Sequence, residues 1–471
     1  MALRRSDGPT PSLPEAYRSI NIGAKGWLRR FLAFSGPAYL VSVGYMDPGN
    51  WATDLSGGSK FGYSLLWVIL ASNLMAILLQ TLCARLGIVT GRDLAQACRD
   101  YYKKPAAIAL WIACEIAIIA CDVAEVIGSA VALNLLFGLN LIAGVLLTGL
   151  DVLLLLGLLK FGFRKIEALV ISLVVTIAAC FLYEIIMARP EWGGVGHGLI
   201  HPTLPNADAV KIAVGIIGAT VMPHNLYLHS SLVQTRAIER TEAGKREAAR
   251  SSTIDTFIAL GCAFFVNAAI LILSSAVFYK AGKVVEDFAQ APVLLQPILG
   301  GAAATLFAVA LLASGQSSTI TATLAGQIVM EGFLRVRIAP WLRRMITRGL
   351  AIIPAVAIVA TSAGRTVDMM VNSQVILAMQ LPFAIIPLVM FTSDRKKMGK
   401  FANPVWLAAL GGIVGGLIIA LNIQMLYQQY GPWWLAGGIG LIVAFGLWVT
   451  FGYREPARAD DEDEDLVRVP A

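Results

Sequence analysis

The sequence predicts an all-α polytopic membrane protein built from two inverted five-helix repeats, with its first and sixth spans broken in mid-membrane. Three observations carry this. The 471 residues are 57% hydrophobic and only 14% charged, with a mean hydropathy of +0.71, whereas soluble domains are about 25% charged. Apolar runs of roughly 20 residues, each long enough to cross a bilayer, recur about twelve times along the chain. Two of those runs each hold a proline followed two residues later by asparagine: Pro48-Gly49-Asn50 and Pro223-His224-Asn225.

The runs lie at 31–55, 64–87, 107–137, 140–159, 166–188, 209–233, 253–279, 302–333, 346–362, 368–392, 403–424 and 433–452. A polar, basic segment, 1–30, precedes them and shows no cleavable signal pattern. Residues 31–400 form the ten-helix core, with repeats of about 31–188 and 209–392. An odd number of spans per repeat inverts the second relative to the first. Residues 401–453 add two further helices, and 454–471 form an acidic tail with the solvated run Asp460 to Asp465.

The net charge of +7 does not point to nucleic acid. The cations sit in alternate loops, such as Arg92 and Arg99, Arg164 and Lys165, Arg236 and Arg240, Arg343, Arg344 and Arg348, and Lys396 and Lys397. The intervening loops are nearly bare. That alternation puts both termini in the cytoplasm and makes the helix count even. Short termini and compact loops favour a bacterial inner membrane. The six cysteines, Cys83, Cys98, Cys114, Cys121, Cys180 and Cys262, lie in or beside apolar runs without metal-ligand spacing. They read as small core hydrophobes.

The first break is the stretch Tyr45-Met46-Asp47-Pro48-Gly49-Asn50-Trp51. A charge such as Asp47 costs about 2.5–3.5 kcal/mol near the bilayer centre. Pro48 removes a backbone donor, and Gly49 is a poor helix former. Irregular backbone survives at that depth only when buried in protein or lining water. The sixth span breaks at Gly218-Ala219-Thr220-Val221-Met222-Pro223. Pro223 cannot donate to the carbonyl four residues earlier, so the Ala219 carbonyl is released. Where the breaks meet, Asp47, Asn50, the Ala219 carbonyl and Met222 converge. One carboxylate, one amide, one carbonyl and one thioether suit a divalent transition metal better than Mg²⁺ or Ca²⁺, which prefer oxygen alone. Gln374, in the tenth span, either completes that shell or makes an interhelical hydrogen bond.

The third span holds Glu115, Asp122 and Glu125. Asp122 and Glu125, three apart, share a helix face. Carboxylates so placed can load and release protons in a low-dielectric path. His224 can join that relay, whereas His229 reads as structural. Arg348 either pairs with a carboxylate and helps the proton leave, or anchors its helix by the positive-inside rule. No P-loop, dinucleotide fingerprint or zinc-protease helix is present in the sequence. The chain therefore does not read as an enzyme, and its energy source is an ion gradient.

At these residues the sequence resembles the Nramp family of proton-coupled divalent-metal transporters. Asp47-Pro48-Gly49-Asn50 is similar to the family's first-helix motif and Met222-Pro223-His224 to its sixth-helix motif. The stretch from Gly315-Gln316-Ser317-Ser318-Thr319 through Leu324-Ala325-Gly326-Gln327 resembles its eighth-helix transport signature. The likeness covers roughly residues 31 to 450. It implies a LeuT-like fold, Mn²⁺ and Fe²⁺ as substrates with Cd²⁺ and Co²⁺ tolerated, and inward cotransport with protons. It also implies Asp47, Asn50, Ala219 and Met222 as metal ligands, with Gln374 joining in some conformations. Asp122, Glu125 and His224 match the proton-path positions, and Glu115 and Arg348 match less closely. Cys121 departs from the pattern, standing where a more polar residue is expected.

No cofactor is expected beyond the carried metal and the coupling proton, and no nucleic-acid partner; a monomer in the lipid bilayer is expected. The competing reading is a proton- or sodium-coupled symporter of amino acids or another organic solute on the same fold. It is disfavoured because Asp47 repels a substrate carboxylate. A receptor-like protein without transport would leave the intramembrane carboxylates unexplained.

Overall fold

The computed structural model describes residues 4–5, 16–22, 33–150, 163–361 and 365–432, with isolated positions 437, 440 and 444. Most of the expected last span at 433–452, all of 151–159, the acidic tail and most of 1–30 therefore lie outside the described residues. Among those described, nine stretches are long and apolar enough to cross a membrane. One of them, Pro48–Thr90, joins half of the broken first span to the second. Leu141–Leu150 is the described beginning of the fourth.

The first span is two helices. α1 covers Pro37–Gly44 and α2 covers Pro48–Phe61. Asp47 caps α2, accepting the Asn50 amide N–H at 2.8 Å, and Pro48 takes the first helical position, where no donor is needed. The dipeptide that breaks one helix thus starts the next. α3 (Leu66–Thr90) stops at Gly91, whose φ of +67° is a left-handed cap. α4 (Leu94–Tyr101) opens on a capping box of Asp93 and Gln96. Then come α5 (Lys104–Phe137), α6 (Leu141–Leu147), α7 (Phe163–Ala188) and the short α8 (Trp192–Ile200).

The second half repeats the plan. α9 (Ala207–Val221) and α10 (Pro223–Leu232) form the broken sixth span, separated by Met222 alone. α11 (Glu242–Ser274) continues through a wider π turn at Ser275–Tyr279. α12 (Gln290–Leu299), α13 (Gly301–Leu334), α14 (Pro340–Thr361), α15 (Thr366–Ser393), α16 (Arg395–Met398) and α17 (Val405–Tyr430) follow. Beside the helices, Arg4–Arg5 (β1) pairs antiparallel with Val336–Arg337 (β2).

Polarity is distributed for lipid rather than water. Val175, Leu182, Phe257, Phe265, Ile353 and Ile413 are exposed, while Asp47, Asp122, Glu125, Glu184 and Arg344 are buried. Such apolar exposure marks a membrane-facing surface. Lipid tails give helices little hydrophobic reason to associate, so close backbone approach does that work. A Cβ on Gly128 of α5 would overlap Pro48, which brings the third span against the first break. α5 packs most extensively on α13, and α9 on α15 and α2. Five cysteines are buried as expected, but Cys262 is exposed on α11.

Several loop cations are not surface anchors. Arg236 is buried in an ion pair with Glu167 at 2.8 Å and donates to the carbonyls of Phe34 and Ser35, both at 2.8 Å. Ser35 Oγ donates to Asp255 at 2.5 Å, and the Ala38 N–H does so at 3.1 Å. This network fixes the chain where α1 enters the bundle. Arg343, Arg344 and Arg348 are buried too. A guanidinium is held inside the bundle when carboxylates and carbonyls supply its partners.

Candidate metal and proton site

The two breaks meet in a buried centre. Asn50 Nδ2 donates to Asp47 Oδ1 at 2.7 Å and to the Ala219 carbonyl at 2.9 Å. The second contact exists because Pro223 offers Ala219 no N–H. The carbonyls freed at the first break are also taken up. Asn267 Nδ2 donates to Tyr45 O at 2.7 Å, while Trp51 Nε1 and Ser314 Oγ donate to Met46 O at 3.0 and 2.5 Å. Every polar group at a break buried from water needs such a partner.

Met222 is the hinge of the second break. Its φ of +40° is left-handed for a residue with a side chain, a conformation costing about 1–3 kcal/mol that persists only where surroundings impose it. Its sulfur accepts a hydrogen bond from Asn225 Nδ2 at 3.3 Å and packs with Ala117, Cys121 and Leu377. Cys121 Sγ in turn donates to Asp47 Oδ2 at 3.5 Å. Cys121 therefore hydrogen-bonds the carboxylate and shares an apolar cluster with Met222, which places α5 beside both breaks. Sequence reading noted it only as a departure from pattern.

Gln374 lies at the same centre. A Cβ on Gly49 would overlap its amide, and one on Gly218 would overlap its backbone carbonyl. Its Nε2 donates to Ser373 Oγ at 3.0 Å, while its Oε1 is buried without a protein partner. Asp47, Asn50, Ala219, Met222 and Gln374 are all buried.

The carboxylates of α5 face α14. Arg344 Nη1 donates to both oxygens of Asp122, at 2.8 and 3.1 Å, and Arg344 Nη2 lies 3.6 Å from Glu125. Arg348 Nη1 lies 3.8 Å from the same Glu125 oxygen. Thr319, inside the α13 signature stretch, donates to Glu125 at 3.1 Å and accepts from Arg348 at 3.2 Å. Arg348 thus faces a carboxylate inside the bundle.

Glu115 is separate. It holds Arg343 through both oxygens at 2.6 and 2.8 Å and accepts from Trp111 at 2.9 Å. It sits two helical turns from Asp122, about 10 Å along the axis, and is only partly buried. His224, at the start of α10, is buried with Nδ1 unpartnered. His229 instead contacts Gln80 at 3.1 Å.

Sequence reading missed Arg343 and Arg344, although three intramembrane carboxylates call for counter-charges. It also passed over Asp54, one turn beyond Asn50, and Glu184 in the fifth span. Both are buried, with Asp54 Oδ2 and both Glu184 oxygens unpartnered. The signal was available: each is a lone carboxylate inside an apolar run.

Paired broken helices around a buried polar centre define a multi-pass membrane protein of the LeuT-like, inverted-repeat class. A solved inward-facing structure of Mhp1 shares this fold, at a TM-score of 0.60 and 16% identity over 100% of this chain and 98% of that one. Residues 38–428 match the Nramp model, described as natural resistance-associated macrophage protein-like, and the chain belongs to that family. It is 59% identical to a divalent metal cation transporter MntH from Mesorhizobium japonicum, over 90% of this chain and 95% of the relative. It also resembles the crystal structure of an Eremococcus coleocola manganese transporter bound to an aromatic bis-isothiourea compound. That match has a TM-score of 0.84 and 41% identity, and covers 94% of this chain and 98% of the other.

Proposed function

We propose that this protein is a secondary transporter that imports divalent transition-metal ions, Mn²⁺ and Fe²⁺ foremost with Cd²⁺ and Co²⁺ tolerated, by symport with protons and alternating access. The observation that carries this reading is the meeting of Asp47, Asn50 and the Ala219 carbonyl across two broken helices, with Met222 in one cluster with the Cys121 that donates to Asp47. An anionic oxygen, neutral oxygens and one thioether form a donor set for a borderline-soft dication. Asn50 now turns its N–H groups toward Asp47 and Ala219, so ligation through Oδ1 requires that amide to rotate. Gln374 Oε1, buried and unpartnered, adds a further oxygen.

Asp122 and Glu125, held by Arg344, Arg348 and Thr319, carry the proton. His224 links them to the metal centre, and Glu115 with Arg343 receives the proton toward the cytoplasm. No catalysis is assigned to the chain. The reading includes a bacterial inner-membrane location, cytoplasmic termini and a monomer. Residues 31–400 act as the transport core, and 401–453 as an appended pair of helices. Transport of an organic acid is disfavoured because its carboxylate would face Asp47.

The test is uptake of labelled Mn²⁺ into proteoliposomes with and without an inward proton gradient. Uptake that the gradient accelerates is expected. Exclusion of Mn²⁺ while an amino acid enters overturns the reading.

A further inference from the structure

We propose that His197 and His201 form an external divalent-metal site, selective for Ni²⁺, Cu²⁺ and Zn²⁺ over Mn²⁺, whose occupation slows transport. They lie one turn apart at the end of α8, with ring centroids 4.1 Å apart and planes inclined by 30°. His201 caps the end of α8 with an extended backbone, and its N–H donates to the His197 carbonyl at 3.0 Å, so the last helical hydrogen bond joins the two residues. Both are exposed, and both line a cavity of about 500 Å³ that also takes in Glu191, Arg189, Tyr63 and Lys280. Imidazoles at i and i+4 present nitrogens to one ion from a single helix face. Closing a chelate at nitrogen–metal distances of about 2.0–2.1 Å needs only side-chain rotation at such a site.

The chemistry sets the preference. Among the described residues no group of three or more His, Cys, Asp or Glu side chains gathers at one point. The pair therefore supplies two nitrogens and water completes the shell. Affinity at such a site follows the order Mn²⁺ < Fe²⁺ < Co²⁺ < Ni²⁺ < Cu²⁺ > Zn²⁺. This is opposite in character to the buried centre, which offers oxygens and a thioether.

The connection to transport is α8's other edge. Gly194 and Gly198, also four apart, lie against Tyr63: a Cβ on Gly198 would overlap the Tyr63 carbonyl, and one on Gly194 would come within 2.9 Å of its ring. The Glu191 N–H reaches Tyr63 Oη at 3.4 Å, and Glu191 pairs with Lys280 at 3.1 Å. Tyr63 lies in the short turn directly after α2, the half-helix that Asp47 caps. An ion on the histidine pair stiffens the last turn of α8 where that helix is latched to α2. The external placement and the inhibitory part of the proposal rest on the topology and transport reading above; the binding part does not.

The test uses tag-free, full-length protein. Calorimetry with Ni²⁺ is expected to show a micromolar site that weakens at least tenfold in His197→Ala and in His201→Ala. In proteoliposomes, external Ni²⁺ is expected to slow Mn²⁺ uptake by the wild type. The double His197→Ala, His201→Ala variant should keep the uninhibited rate and lose that sensitivity. Unchanged Ni²⁺ affinity in both single variants overturns the site, and unchanged inhibition in the double variant overturns its effect. If no Mn²⁺ enters at all while histidine-dependent Ni²⁺ binding persists, the site stands and the transport reading fails.

Discussion

Asn50 Nδ2 lies 2.9 Å from the carbonyl oxygen of Ala219, so a single side-chain amide joins the two broken helices. The same nitrogen donates to Asp47 Oδ1 at 2.7 Å. Its partial positive charge thus sits between a carboxylate and a carbonyl, as a weak substitute for a cation. A dication that enters has to displace these N–H groups from the carboxylate and the carbonyl.

Asn50→Asp replaces that bridging donor with a second carboxylate facing Asp47. The metal-free variant should lose about 1–3 kcal/mol of stability, and saturating Mn²⁺ should restore it by binding the folded state. Thermal unfolding with and without Mn²⁺ checks this. A variant as stable as wild type without metal would show that the amide bridge contributes little.

Met222→Ala removes the only sulfur of the proposed ligand set. Ca²⁺ should then compete with Mn²⁺ at least about tenfold better, a difference of about 1.4 kcal/mol. Competition measured in uptake assays reads this directly. Unaltered Ca²⁺ exclusion counts against selection by the thioether.

Arg344→Leu strands Asp122 and weakens the field on Glu125. Breaking a buried pair from one side costs about 3–5 kcal/mol, whereas replacing both partners by apolar groups is often neutral. The single variant should unfold well below wild type, and Arg344→Leu with Asp122→Leu should recover most of the loss. A double variant no better than the single would mean that Arg344 is held by other partners.

Asp122→Asn keeps the shape at Arg344 but removes the titrating group. Mn²⁺ binding should stay within about threefold of wild type, while the response of uptake to an inward proton gradient disappears. Calorimetry and gradient-driven uptake separate the two. Equal loss in both would assign Asp122 to the metal instead.

Gly49→Ala forces a methyl group into the Gln374 amide. Overpacking of this kind costs about 1–3 kcal/mol. Gln374→Ala in the same chain should relieve it, so the two changes together should be less damaging than their sum. Strict additivity in melting temperature would mean that the side chain simply swings aside.

Both breaks were legible because proline and glycine act locally: Asp47-Pro48-Gly49 and Met222-Pro223 interrupt a helix whatever surrounds them. The release of Ala219 followed from the same covalent fact, and its carbonyl is indeed taken by a group from another helix. The arginines were less legible. Arg343 and Arg344 sit in a cation-rich stretch that satisfies the positive-inside pattern, and composition cannot tell a surface anchor from a buried counter-ion. Glu115 was grouped with Asp122 and Glu125 by span, yet it belongs to a different ion pair, at Arg343.

By itself the sequence determined the membrane class, the order of the spans, the two breaks and the residue types offered at them. These depend on hydropathy and on backbone chemistry within a few residues. The tertiary structure alone decided that Cys121 donates to Asp47 beside Met222, that Asn50 turns its N–H groups inward, and that Arg344 holds Asp122 through both oxygens. Those contacts join residues tens to hundreds of positions apart, and which of several equally polar groups meet is set by how helices pack, a quantity no local pattern encodes.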